Sequence, residues 1–255
     1  FSLSFNHDGS RLAVGSLYDA GSSNGTFGSG AVYLIEFNNT SFGNPSLNHI
    51  IGKGYSSGGN YDLSALDSSD NFGYAVALSE DATQLVVGAP YDDGLNNNSD
   101  STGAAYLISF TNGSFAGTSH DGTIGSGYTS GIDVNMSSHL DNYDSFGTSV
   151  SMNTDGTRLS VGVAYDDGKS NNYNDIGGQY QFSFTNSSFS GGNLESIISN
   201  GHQKSHAFGA AVSLNDDGTR MAIGNPYDRG ASSSGYDYGA TYLISFTDRY
   251  FSGAS

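Results

Sequence analysis

Short apolar runs, each ended by glycine, asparagine, aspartate or serine, follow one another along the whole chain. Val76-Ala77-Leu78 alternates large and small apolar residues, the period-2 mark of a half-buried strand. Leu85-Val86-Val87 is continuous and β-branched, which predicts a strand buried on both faces. Between them lies Ser79-Glu80-Asp81-Ala82-Thr83, a predicted turn. Elsewhere this turn reads Asn6-His7-Asp8-Gly9-Ser10, Asn153-Thr154-Asp155-Gly156-Thr157 and Asn215-Asp216-Asp217-Gly218-Thr219. Asp-Gly between apolar runs is a hairpin signal, because glycine accepts the positive φ of such turns. A third strand is predicted at Ala105-Tyr106-Leu107-Ile108-Ser109-Phe110. A weaker fourth lies near Ile124, matched by Ile50-Ile51 and Ile197-Ile198. No long segment carries a 3.6-residue apolar stripe, so no helix is expected.

This unit is written four times. Tyr18, Tyr91, Tyr165 and Tyr227 fall in register with spacings of 73, 74 and 62 residues, and Tyr33, Tyr106, Tyr180 and Tyr242 repeat the same three spacings. Two independent landmarks without drift define a true repeat. Units of this length cannot bury their apolar faces alone and must stack or radiate. Four short antiparallel strands per unit predict a β-propeller of about four blades. A β-solenoid is the alternative, but its coils are usually shorter. The chain 1–255 is read as one repeat domain, with repeats of about 1–71, 72–145, 146–207 and 208–255.

Composition narrows the partners. Lys plus Arg is 8 against 25 Asp plus Glu, a net charge of −17. Nucleic acid and anionic membrane both need clustered cations, so neither is expected. No apolar run is long enough to insert in a bilayer. Without cysteine there is no disulfide and no thiolate metal site. Strong acidity, few lysines and abundant Ser, Asn, Gly and Tyr point to an extracellular or cell-surface setting. The chain opens at Phe1 rather than Met, which reads as a processed or excerpted product.

The residues Phe72, Gly73, Val76, Val87, Gly88, Ala89, Pro90, Gly103, Ala104 and Tyr106 form a pattern, Phe-Gly-x-x-Val … Val-Gly-Ala-Pro … Gly-Ala-x-Tyr. It resembles the FG-GAP repeat of integrin-alpha-type propellers. Phe146-Gly147 and Phe208-Gly209 repeat the opening. The resemblance implies propeller blades, an extracellular setting and an adhesive or scaffolding role. Two departures stand out. That family often holds calcium in an Asp-x-Asp/Asn-x-Asp-Gly loop between its first two strands, where this chain has a tight turn with too few carboxylates. Such propellers also commonly have seven blades.

Calcium needs six to eight oxygen ligands, often several carboxylates from one loop. The richest candidates are Asp92 and Asp93, in the loop running to Asp100, and Asp166 and Asp167, ahead of Gly168. The Asp67/Asp70 and Asp141/Asp144 pairs stand nearby in sequence. The competing reading is turn chemistry, since Asp and Asn bond their own backbone. Copies one and four dilute the motif to Asp19-Ala20 and Asp228-Arg229, which favours turns. No enzyme activity is expected. His7, His49, His120, His139, His202 and His206 occupy unrelated repeat positions, and the glycine-rich stretches lack a following Lys-Ser/Thr.

Seven Asn-x-Ser/Thr sequons occur, at Asn24, Asn38, Asn39, Asn97, Asn112, Asn135 and Asn186, about what composition alone supplies. Asn38/Asn39, Asn112 and Asn186 share one slot, the turn after the third strand. They are the preferred candidates for N-linked glycan. Asn24, Asn97 and Asn135 are weaker ones. The Tyr18 and Tyr33 series are expected to pack between blades with bonded hydroxyls. Tyr55, Tyr128, Tyr143, Tyr173 and Tyr236 lie in predicted loops, where they could stack on sugar rings. In copy four the chain stops at Ser255, where the fourth strand should begin. An open edge at Thr241 to Phe246 would then recruit a neighbouring copy and build a filament. The reading is a non-enzymatic extracellular structural or adhesive propeller, self-assembling and carrying glycans. The alternatives are a lectin-like propeller and a calcium-dependent adhesion module.

Overall fold

The computed structural model describes residues 1–167, 175–199, 207–230 and 237–255. Gly168, Tyr173, Tyr236, His202 and His206 lie outside them. Seventeen strands and no helix are present among the described residues. The first sheet holds β1 (Ser2–Phe5), β2 (Arg11–Ser16), β3 (Ala31–Glu36), β4 (Ser46–Gly52) and β5 (Tyr61–Asp62), ordered as in sequence. The second holds β6 (Ala75–Leu78), β7 (Gln84–Ala89), β8 (Ala104–Ser109), β9 (Ser119–Gly125) and β10 (Val134–Asn135). The third runs β11 (Phe146–Met152), β12 (Arg158–Val163), β13 (Gly178–Ser183), β14 (Asn193–Ile198). The fourth has only β15 (Ala211–Leu214), β16 (Arg220–Asn225) and β17 (Ala240–Ser245).

The expected four-stranded unit thus needs one correction. In the first two sheets a two-residue fifth strand pairs parallel to the fourth, Ile51 opposite Tyr61 and Ile124 opposite Val134. Two residues are too few to show a period in sequence. The incomplete last sheet is as expected. Its edge strand β17 is paired at one end by Ser255, which exchanges backbone bonds of 3.0 and 3.1 Å with Ser245.

The sheets are joined in order through their first strands. β6 touches β1 and β2, β11 touches β6 and β7, and β15 touches β11 and β12. The first-strand turns of all four units meet around one small cavity lined by His7, Glu80, Thr154 and Asp216. The sheets are therefore blades about a common axis. Two apolar cores fill the first two joints. One gathers Ala13, Val32 and Leu34 against Val76, Leu85 and Tyr106; the other gathers Val86, Ala105 and Leu107 against Val150, Leu159 and Phe182. β7 is buried along its whole length, as its continuous apolar run predicts. The third joint is more polar: Gln179 donates to Ser160 Oγ at 2.8 Å, and Ser160 donates to Met221 Sδ at 3.1 Å.

The repeat's glycines are explained by close approach of neighbouring blades. A Cβ on Gly88 would lie 2.0 Å from the carbonyl oxygen of Gly147. Gly15 against Gly73 and Gly162 against Gly209 repeat this at 1.9 and 2.0 Å. Gly103 lies as close to the backbone of Phe146, with which it forms a parallel bridge. Only a residue without a side chain lets two backbones meet so tightly. The phenylalanine of each Phe-Gly pair then tiles the buried tyrosine of its own blade, edge-on: Phe72 on Tyr106 at 5.3 Å, Phe146 on Tyr180 at 5.9 Å, Phe208 on Tyr242 at 5.3 Å.

Candidate functional site at the tyrosine-lined end of the axis

The turn after each second strand carries the dipeptide Tyr-Asp: Tyr18-Asp19, Tyr91-Asp92, Tyr165-Asp166, Tyr227-Asp228. The two residues face opposite ways. The aspartate turns inward and accepts the hydroxyl of the tyrosine 14 residues on. Tyr33 reaches Asp19 at 2.6 Å, Tyr106 reaches Asp92 at 2.6 Å, Tyr180 reaches Asp166 at 2.7 Å and Tyr242 reaches Asp228 at 2.5 Å. The other oxygen caps the loop backbone, as in Gly94 N–H to Asp92 at 2.8 Å and Gly21 N–H to Asp19 at 2.9 Å. Tyr128 and Tyr55 add a second phenol to Asp92 and Asp19, at 3.1 Å to the nearer oxygen. Burial pushes the Asp92 carboxyl up, opposed by its bonds from Tyr106, Gly94 and Tyr128. Burial and the Asp92 charge together push the Tyr106 hydroxyl up. A buried charge supplied with several donors is a framework element.

The sequence-predicted metal residues find protein donors here. Asp92 is held as described. Asp93 accepts the Ser101 N–H at 2.7 Å, and Asp167 the Asp175 N–H at 2.8 Å. Asp70 and Asp144, both buried, accept the N–H of Asp67 and Asp141 at 2.6 Å. Among the described residues no group of three or more His, Asp or Glu gathers to hold an ion. Turn and network chemistry accounts for these carboxylates, and copies one and four share it through Asp19 and Asp228. On this turn reading, a chelator should leave the melting temperature within about 1 °C of its value with added calcium, because a ligand stabilises only what binds it. A drop of several degrees in a thermal melt with EDTA would contradict this.

The sequon slot has a similar explanation. Asn39, Asn112 and Asn186 each accept, through the side-chain oxygen, the N–H two residues on, at 2.9 Å. Asp248 does the same for Tyr250 at 2.8 Å in the copy that lacks the sequon. The recurring residue is thus a turn former. Asn24, Asn38, Asn39, Asn97, Asn112, Asn135 and Asn186 all lie at exposed positions.

The tyrosines preceding the aspartates do something the sequence reading missed. Tyr91, Tyr165 and Tyr227 are 38%, 43% and 49% exposed and, with Tyr74 from β6's entry, line a cavity of about 150 Å³ at the other end of the axis. Tyr74 meets Tyr91 edge-on at 6.5 Å, and Phe1 covers Tyr74 at 4.7 Å. Tyr18 stacks on Phe27 at 6.4 Å beside them. Burial, then the neighbouring phenols, push the Tyr74 and Tyr165 hydroxyls up. This corrects two assignments. The Tyr18 series is presented to solvent rather than packed between blades; the Tyr33 series is the internal one. Conversely, Tyr55 and Tyr128 turn their hydroxyls to Asp19 and Asp92. Tyr143 is exposed and bonds Asp100 at 3.0 Å. The available signal was the fixed spacing of 14 residues from each Asp to the tyrosine that bonds it, which recurs in all four copies.

Blade-like sheets about an axis, locked by Phe-Gly and Val-Gly backbone contacts, define a propeller-type repeat protein. Residues 64–108, from the end of the first repeat through the third strand of the second, match the FG-GAP repeat family. No curated protein matches the chain. Among solved structures, the chain is similar to TolB from Acinetobacter baumannii, at 13% identity and a TM-score of 0.44 over 96% of its length; it spans 43% of that chain.

Proposed function

We propose that this chain is a non-enzymatic, extracellular adhesion-type binding module that engages its partner through the tyrosine-lined mouth of the axis. FG-GAP repeats are typical of extracellular and surface proteins, and the matched repeat supports that setting. The observation that carries the reading is the convergence of Tyr74, Tyr91, Tyr165 and Tyr227 from three blades on one cavity. Tyrosine offers a large apolar ring and a polar hydroxyl at low entropic cost, which suits recognition surfaces. At the opposite end His7 lies 2.9 Å from Glu80, and among the described lining residues Phe5 is the aromatic one, with no tyrosine.

A lectin-like function is the second reading, favoured by rings exposed enough to stack on sugars. Both are tested by one variant, Tyr91→Ala/Tyr165→Ala/Tyr227→Ala, displayed against immobilised extracellular-matrix proteins and a glycan array. The three side chains are partly exposed, so the fold should persist. Wild-type protein should bind at least one class of surface, and the variant should lose about tenfold or more in affinity, the loss of about 1.4 kcal/mol or more. Unchanged binding by the variant would remove the mouth from the function.

A further inference from the structure

At each internal joint, one sheet presents a small-residue face to the apolar face of the next. Ala75, Ala77, Val86 and Leu107 form the first kind of face on the second sheet and are at most 7% exposed. Val76, Leu78, Leu85 and Val87 form the second kind and are at most 8% exposed. Two polar links set the register. The Ser4 hydroxyl accepts the Leu78 N–H at 3.0 Å, and Ser151 accepts the Leu214 N–H at 2.9 Å. The Arg11 guanidinium donates to the Gly113 carbonyl at 2.8 Å, and Arg158 donates likewise to the Arg249 carbonyl.

Both halves of one more such joint stand open on the same molecule. On the fourth sheet the first kind of face holds Ser213, Ala222 and Leu243, with Leu243 79% exposed beside an open groove of about 480 Å³. Ser213 and Arg220, the register positions, are exposed there. On the first sheet the second kind of face holds Leu3 and Phe5, 64% and 39% exposed, with Leu12 and Val14 only half buried. Exposed apolar faces of this kind mark interaction surfaces.

We propose that copies of this chain associate head to tail, the fourth sheet of one seated on the first sheet of the next. The joint inside the chain supplies the template. Ser213 takes the Phe5 N–H of the second copy, as Ser151 takes that of Leu214. Arg220 donates to the Thr40 carbonyl, the counterpart of Gly113 and Arg249. Leu243 covers the Leu3, Leu12 and Val14 patch. The contact uses sheet faces at the side of the molecule, apart from the tyrosine mouth and distinct from edge pairing along β17. It is heterologous, so it generates a ring or an open fibre.

The test is sedimentation velocity of the full chain over an about hundredfold concentration range at physiological and higher salt, where the repulsion of the acidic copies is screened. Leu243→Glu and Leu3→Glu change exposed residues and should keep the thermal melt of the parent. Wild-type protein should show concentration-dependent dimers or larger species, increasing with salt. Each variant alone should be monomeric. Their mixture should form a dimer and stop there, because the only intact pair is the fourth sheet of Leu3→Glu with the first sheet of Leu243→Glu. Monomeric wild-type protein throughout would overturn the proposal and leave these faces to a different occupant. Association that both variants retain would also overturn it, and would point to the β17 edge. The tyrosine-mouth variant should assemble like wild type, so failure there and failure here are separable.

Discussion

Replacing Gly88 by alanine should destabilise this protein severely, while the same change at Gly224 should be tolerated. The two glycines hold the same repeat position at the end of the second strand. Neither has a positive φ, so alanine fits both backbones and the contrast is purely steric. At Gly88 the new methyl meets the Gly147 carbonyl oxygen of the next blade at 2.0 Å. Gly147 is itself packed tightly on the second sheet, where a Cβ on it would lie 2.5 Å from the Ala104 carbonyl oxygen, and it adopts a φ of 96°. The whole third sheet must shift, opening the second apolar core. Overpacking of this kind costs about 3 kcal/mol or more, which in a chain of this size lowers Tm by roughly 6–12 °C. At Gly224 the nearest atom is the Ala211 methyl at 3.2 Å, within its own sheet. There a small adjustment suffices, and Tm should move by no more than about 2 °C. Thermal melts of the two variants decide the matter. Equal losses would mean that blade-to-blade contact is not why the repeat keeps glycine at this position.

Stability should fall as pH rises through neutrality, the reverse of the usual behaviour of a protein whose carboxylates are salt-bridged. Burial, first, and then the charges of Asp92, Asp67 and Asp93 push the Asp70 carboxyl up to about 7. Asp144 is pushed up to about 7 in the same way, beside Asp166, Asp141 and Asp167. Unfolded, both titrate near 3.8. Between these values the folded state holds protons that the unfolded chain has released, so folding is favoured at the acidic side. The contribution is complete below about pH 4 and is lost as pH passes through 7. It amounts to roughly 2–4 kcal/mol per group across the window. Asp8, Asp81, Asp155, Asp217 and Asp248 are held low, each by turn hydrogen bonds, and act oppositely, but only below that window. Denaturant melts from pH 4 to 8 should show the decline. Asp70→Asn/Asp144→Asn should flatten it, since asparagine keeps an oxygen for the Asp67 and Asp141 amides and carries no charge. A double variant with the wild-type slope would show that these two groups are not its source.

The frame of this molecule is written plainly in its sequence. The Tyr18 and Tyr33 series keep one register because a loop of fixed length and the start of the third strand separate them identically in every copy. Asp-Gly turns mark the hairpins, and the apolar runs mark the strands. What sequence alone conceals is direction. Tyr91 and Asp92 are both plausible on a surface; only the position of Tyr106 beneath the loop decides that the aspartate goes inward. Asp92 and Asp93 read in sequence as cation ligands; the protein donors they also meet, Tyr106, Gly94 and Ser101, are invisible there. The slot of Asn112 reads in sequence as a sequon; that it is also a turn, made in copy four by Asp248, is seen only in the fold. The short strands β5 and β10 arise from pairing with a neighbour and leave no period of their own. The open faces of the first and fourth sheets carry the same residue types as the covered ones, so their exposure cannot be read from any one segment.

The split between adjacent residues in the Tyr-Asp dipeptide has a broader meaning. The acidic member carries the architecture, and its aromatic neighbour carries none. Substitution at the rim therefore leaves the scaffold undisturbed, one blade at a time. Variation at the rim and constancy of the frame are thereby assigned to neighbouring positions of one dipeptide.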